Sequence, residues 1–128
     1  MIKRRNTTQR IKILEYIRDV KMHPTAETVY NAVRKELPSI TLATVYRNLN
    51  LLASEGEIVR LEINNEFHYD GDTSNHQHCV CSRCGRIHDI FQREISDYAM
   101  SHVKSKEFNP TSVNIIFHGI CIQCEKRG

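Results

Sequence analysis

The sequence predicts an α+β chain in two parts. Three short helices and a β-hairpin occupy residues 1–71, a small α/β unit occupies residues 72–128, and a hinge falls at about residues 72–75. Three observations carry this reading. Apolar residues recur at helical spacing in three capped segments, and two β-rich runs then flank an Asn-Asn pair. Charge divides the chain: residues 1–65 hold eleven Lys/Arg against seven Asp/Glu, a balance of +4, whereas residues 66–128 hold seven against eight, a balance of −1. All five cysteines and six of the seven histidines lie in that second part. Halves of about 60 residues have marginal cores, so a structural metal or a dimer interface would help to hold them.

Taken in order, "TTQRIKILEYIRDV" opens with an N-cap at Thr7, and Ile11, Leu14, Ile17 and Val20 form its apolar stripe. "HPTAETVYNAVRKEL" is capped by Thr25, with Ala26, Val29, Tyr30, Val33 and Leu37 inward, and is stopped by Pro38. "TLATVYRNLNLLASEG" is capped by Thr41, turns Leu42, Val45, Leu49 and Leu52 inward, and ends at Gly56 as a C-cap. "EIVRLEI" and "EFHYD" read as strands joined at Asn64-Asn65, a pair suited to a two-residue hairpin turn. This order makes a winged helix, whose third helix would enter a DNA major groove. Ala43, Thr44, Tyr46, Arg47 and Asn50 form the outward face of that helix. Arg and Asn can pair bidentately with guanine and adenine, and Thr and Tyr can reach phosphates. The same residues would also serve as the solvated face of a helical bundle.

The second part is dominated by "HYDGDTSNHQHCVCSRCG" and, further on, "GICIQC". No apolar run approaches the ~20 residues of a membrane span, and "MIKRRNTTQR" lacks the apolar segment of a signal peptide. The chain is therefore expected in the cytoplasm, with no membrane partner, where disulfides are disfavoured. Cys81, Cys84, Cys121 and Cys124 form two CxxC pairs, and a two-residue gap lets both sulfurs of a pair turn toward one ion. A closed tetrahedral zinc site is the leading reading, a staple holding one ion per chain, with free thiols or redox-active pairs as the alternative. His76 and His78 share one face of a strand, and Gln77, Cys79 and Cys81 share the other. With Asp70 and Asp89 in reach by sequence, the two histidines suggest a separate nitrogen/oxygen site suited to divalent iron, manganese or zinc.

Cys79 reads as a small buried strand residue or a spare thiol. His68, His88, His102 and His118 have no clear partners and are expected to be structural or exposed. "QREISDYAMSHVKSKE" is an amphipathic helix with Ile95, Tyr98, Ala99, His102 and Val103 on one side, and "SVNIIFHGICI" is a strand. So small a sheet leaves an open edge, which pairing with a second copy would close into a homodimer.

"HPTAETVY", "TLATVYRNLNLLASEG", "HQHCVCSRCG" and "GICIQC", in that order over nearly the whole chain, resemble the Fur family of metal-dependent transcriptional regulators. The resemblance implies a winged-helix DNA-binding domain, an α/β dimerisation domain, and double-stranded operator DNA as partner. It implies structural zinc on Cys81, Cys84, Cys121 and Cys124, and a regulatory Fe²⁺ or Mn²⁺, one per chain, on His23, Asp70, His76, His78 and Asp89. Aspartate at both 70 and 89 is most similar to the peroxide-sensing PerR branch, since iron-responsive members commonly carry glutamate there; Arg47 is more like the iron-responsive members. That branch implies a repressor whose iron reacts with peroxide and oxidises His23 or His76, releasing metal and then DNA.

A ferric- or zinc-uptake regulator is the alternative within the family. Outside it, a His/Asp metal centre could activate water in a hydrolase. The chain offers no obvious substrate loop for that role, and the reading is that it is not an enzyme. A zinc-ribbon interaction module would have no DNA affinity and no use for His76 or His78.

Overall fold

The computed structural model describes residues 4–128, with side chains described from Thr8 onward. Its packing separates into two units, one ending at Thr73 and the other starting at Ser74.

The first unit contains α1 (Arg4–Asp19), α2 (Ala26–Val33), α3 (Leu42–Ser54), β1 (Val59–Ile63) and β2 (Glu66–Asp70). Its core draws Ile13 and Ile17 from α1, Ala26, Val29 and Val33 from α2, and Val45, Leu49 and Leu52 from α3, with Ile40, Ile58 and Tyr69. Helix α1 turns the i, i+4 pair Ile13 and Ile17 inward, while Ile11, expected on the stripe, is 46% exposed. The helix begins at Arg4, so Thr7 lies within it and not at its cap; the Thr7 side chain is outside the described residues.

Thr25 and Thr41 cap as expected, accepting the N–H groups of Thr28 and Thr44 at 3.4 and 3.1 Å. Each such cap contributes about 1 kcal/mol. Helix α2 stops at Val33, a turn short of Leu37. Residues 34–36 wind on as a turn in which the N–H of Leu37 donates to the Val33 carbonyl at 2.9 Å. The cause is Pro38, whose ring pushes the residue before it out of the helical region. Gly56, just past α3, has φ +78°, and Asn64 and Asn65 have φ 53° and 65°. Both hairpin residues thus take the left-handed conformation that a two-residue turn of this hand requires. The antiparallel register runs from Val59↔Asp70 to Ile63↔Glu66, which leaves Asp70 as the last residue of the hairpin. Arg10–Glu55 and Arg18–Glu57 ion pairs tie α1 to the α3–β1 link; exposed pairs of this kind contribute at most about 1 kcal/mol each.

The second unit contains β3 (Gln77–Cys81), β4 (Ile87–Ile90), α4 (Arg93–His102), β5 (Ile116–Gly119) and α5 (Ile122–Arg127). Strand β3 is central, antiparallel to β4 and parallel to β5. The sequence pattern does not reveal strand β4 or helix α5, because four and six residues are too few to show a period. Strand β5 is also shorter than its apolar run suggests. Helix α4 departs most from expectation. Its buried residue is Ser96, while Tyr98 and Val103, predicted to face inward, are 64% and 49% exposed. Among the described residues, no helix is long and apolar enough to cross a membrane.

Candidate metal centres

Cys81 ends β3, and Gly85 (φ +75°) follows Cys84 in the tight turn after it. Cys121 is the residue before α5, and Cys124 lies inside that short helix. The parallel pairing Cys81↔Gly119 brings the second pair beside the first. The four sulfurs lie within 4.8 Å of one another, with Cys84 and Cys121 Sγ 3.9 Å apart. A tetrahedron with Zn–S bonds of about 2.3 Å has S···S edges of about 3.8 Å, so the spacing suits zinc.

The electrostatics agree. Backbone N–H groups of Cys121 and Cys84 donate to Cys81 Sγ at 3.4 and 3.5 Å. They draw its thiol down to about 5. The Cys124 thiol is pushed up to about 12, first by its hydrogen bond with Cys121, then by burial and the remaining sulfurs. Four thiolates this close repel one another, and a dication is what lets all of them ionise together. The chain thus carries a four-cysteine site fitted to structural zinc.

The nitrogen/oxygen donors fall in both units. In the first unit His23 Nε2 lies 3.4 Å from Asp70 Oδ2. Strand β2 grips the backbone that carries His23: the Tyr69 N–H donates to Pro24 O at 2.9 Å, and His68 Nδ1 lies 2.8 Å from His23 O. The Asp72 N–H donates to the other Asp70 oxygen at 2.9 Å. His68 is therefore structural, as expected, and its partner is a carbonyl 45 residues back.

In the second unit the pairing His78↔Asp89 sets a carboxylate opposite an imidazole. Both His76 Nε2 and His78 Nε2 lie 3.4 Å from Asp89 Oδ1. His76 Nδ1 is 2.8 Å from Ser74 O, a bond it can make only as the N–H donor, which leaves the Nε2 lone pair outward. The ring also stacks on Phe91, centroids 4.7 Å apart. Two imidazoles and one carboxylate form a hard-to-borderline donor set, suited to Fe²⁺, Mn²⁺ or Zn²⁺. The Asp89 carboxylate thus lies against both imidazoles.

On α3, Ala43, Tyr46, Arg47 and Asn50 are exposed and Thr44 is half-buried. Arg47 Nη2 donates to Thr44 Oγ1 at 3.3 Å. Asn50 is already engaged: its Oδ1 accepts from Arg60 Nη1 at 3.0 Å and from the Tyr69 hydroxyl at 3.4 Å. Arg60 in turn lies 4.3 Å over the Phe67 ring. Asn48, not singled out from sequence, is buried and donates to the Thr44 carbonyl at 2.9 Å. Cys79 is half-buried and burial raises its thiol. His88, His102 and His118 are exposed.

The chain is similar to known proteins. The profile of the Ferric uptake regulator family matches residues 2–118. The peroxide-responsive repressor PerR of Staphylococcus epidermidis is 30% identical over 125 residues, covering 97% of this chain and 83% of that protein. The Campylobacter jejuni peroxide stress regulator superposes with a TM-score of 0.79 at 32% identity, covering 94% of this chain and 91% of that one. The Helicobacter pylori ferric uptake regulator also reaches 0.79, at 24% identity, over 94% of this chain and 84% of its own, which supports the fold.

Proposed function

The chain belongs to the ferric uptake regulator family, and from that premise we propose that it is a metal-dependent DNA-binding repressor that senses peroxide. The observation that carries this is the carboxylate choice. Asp70 faces His23 in one unit, and Asp89 faces His76 and His78 in the other, each across 3.4 Å. The proposed regulatory site joins these donors on one ion, so that metal binding favours the arrangement of the two units that fits DNA. Donors already oriented within each unit need little rearrangement when the ion arrives.

Fe²⁺ held by these residues would supply redox chemistry with hydrogen peroxide, by which one peroxide oxygen would pass to a ligand imidazole and the other leave as water, whereas Mn²⁺ would hold the same donors without that chemistry. His23 and His76 are the proposed acceptors. Oxidation of either ring weakens its nitrogen as a donor and loosens the grip on the ion, and the stabilisation of the DNA-fitting arrangement goes with it. The chain acts by binding, without turnover, so it is not an enzyme. Its proposed partners are double-stranded operator DNA, read by Arg47 from α3, and a second copy of itself, in the cytoplasm. A symmetric dimer presents two such helices to two half-sites. The zinc quartet maintains the second unit throughout.

A second reading, a ferric- or zinc-uptake regulator, is favoured by the same donor set, because imidazole and carboxylate also bind Zn²⁺ well. DNA-binding titrations of the zinc-loaded protein with Fe²⁺, Mn²⁺ and Zn²⁺, each with and without peroxide, separate the two. Peroxide should release only the iron form. An iron form that stays on DNA through peroxide would transfer the proposal to the uptake reading.

A further inference from the structure

Gln77 is fully buried at the start of β3, between His76, which precedes the strand, and His78 within it. Its side chain points to the face opposite theirs. A buried amide is costly unless both of its ends are bonded. Here both are. Gln77 Nε2 donates to Ser96 Oγ at 2.7 Å, and Gln77 Oε1 accepts the Gln92 N–H at 3.1 Å. Ser96 is itself 1% exposed and is the buried residue of α4. Gln92 is the residue from which α4 starts, and it makes no side-chain cap of its own. Helix α4 therefore docks on the sheet through a polar pin, while Tyr98 and Val103 of the expected apolar face stay exposed.

That pin constrains two things the metal site needs. It holds β3 at the residue between His76 and His78. It also holds the backbone next to Phe91, the ring that stacks on His76. Strand β3 is thus pinned from one face by the amide, while His76 and His78 meet the Asp89 carboxylate on the other side. We propose that Gln77, through Ser96 and Gln92, is a positioning residue for the regulatory ion: it sets the direction of the His76 and His78 imidazoles without touching the ion. This rests on the reading that His76, His78 and Asp89 hold that ion.

The test uses full-length, zinc-loaded protein and Mn²⁺ as the probe, with affinity read from the free Mn²⁺ spin-resonance signal. Ser96→Ala removes the partner of the amide nitrogen, and Ser96→Thr restores a hydroxyl. Gln77→Met keeps the length and removes both bonds. Loss of a group that orients a ligand weakens metal affinity by roughly 10- to 100-fold. Ser96→Ala and Gln77→Met should fall in that range while retaining zinc, and Ser96→Thr should return to within about threefold of the parent.

Imidazole nitrogen NMR of the Mn²⁺-free, zinc-loaded protein supplies an independent readout. His76 should show one tautomer, protonated at Nδ1, in the parent and in Ser96→Thr, and a mixture in Ser96→Ala. Unchanged Mn²⁺ affinity in Ser96→Ala, or weakened affinity that Ser96→Thr fails to restore, would overturn the proposal. His78→Ala binding Mn²⁺ as tightly as the parent would instead overturn the metal-site assignment beneath it, and the proposal with it.

Discussion

Gly71 offers the sharpest test of how the end of the hairpin is built. It follows Asp70, and a Cβ added there would lie 2.7 Å from Ile17 O, 2.9 Å from Arg18 Cα and 3.0 Å from Ile17 C. All three are backbone atoms of the last turn of α1, so no side chain can swing aside. Relief requires the helix end or the strand end to shift by about half an ångström, and overpacking of this kind costs about 1–3 kcal/mol. Replacing glycine with alanine also restricts the unfolded chain, which contributes about 0.4–1 kcal/mol in the opposite direction. The contact term wins, leaving a net loss of about 1–2 kcal/mol. For a unit of this size that lowers the melting temperature by about 4–16 °C. Calorimetry of the zinc-loaded Gly71→Ala variant measures it, with Gly119→Ala as control, since nothing lies within 4 Å of a Cβ there. Because Asp70 is the adjacent residue, Mn²⁺ affinity should fall as well. A Gly71→Ala variant that melts at or above the parent temperature would refute the close packing of hairpin against helix.

Cys124→Ser should remove one zinc per chain and collapse the second unit, because structural zinc contributes roughly 10–16 kcal/mol of apparent binding energy to folding; metal analysis beside circular dichroism checks both. In acid titration the contribution of Cys81, whose thiol is lowered to about 5, is in place above the ordinary thiol range and is lost as pH falls through about 5. Zinc release to a chromophoric chelator should therefore increase as the solution is acidified. Thr41→Ala should cost about 1 kcal/mol by freeing the Thr44 N–H at the start of α3, read by denaturant melts. Arg47→Ala should cost roughly 1–3 kcal/mol on a preferred operator and relax base preference at one position per half-site; equal weakening on every sequence at fixed salt would make it a phosphate contact.

The features legible in the sequence are those that local chemistry decides. Thr25 and Thr41 cap because a hydroxyl three residues before an orphan N–H has one good use, and Asn64-Asn65 turn because few residues tolerate positive φ twice in succession. The cysteine quartet is visible because each CxxC aims two thiols at one point, and two such pairs complete the four ligands of a tetrahedral ion. The features that stay hidden depend on contacts across distance. The docking of α4 escapes the apolar pattern because its buried residue is a serine bound to a buried glutamine, and no apolar period records that. Asn50 has the chemistry of a base-reading residue, yet its carbonyl oxygen is taken by Arg60 and Tyr69 of the hairpin. His23 has no local signal; its link to β2 runs through His68 and Tyr69, some 45 residues on.

The most direct measurement takes Fe²⁺- and Mn²⁺-loaded protein on fluorescent operator DNA, adds a stoichiometric dose of peroxide, and follows anisotropy and peptide mass in the same samples. The iron form should leave DNA in step with the gain of one oxygen atom on the peptide containing His23 or on that containing His76, and the manganese form should show neither change. Release of the iron form with both histidines unmodified, or retention on DNA after either is oxidised, would contradict the account.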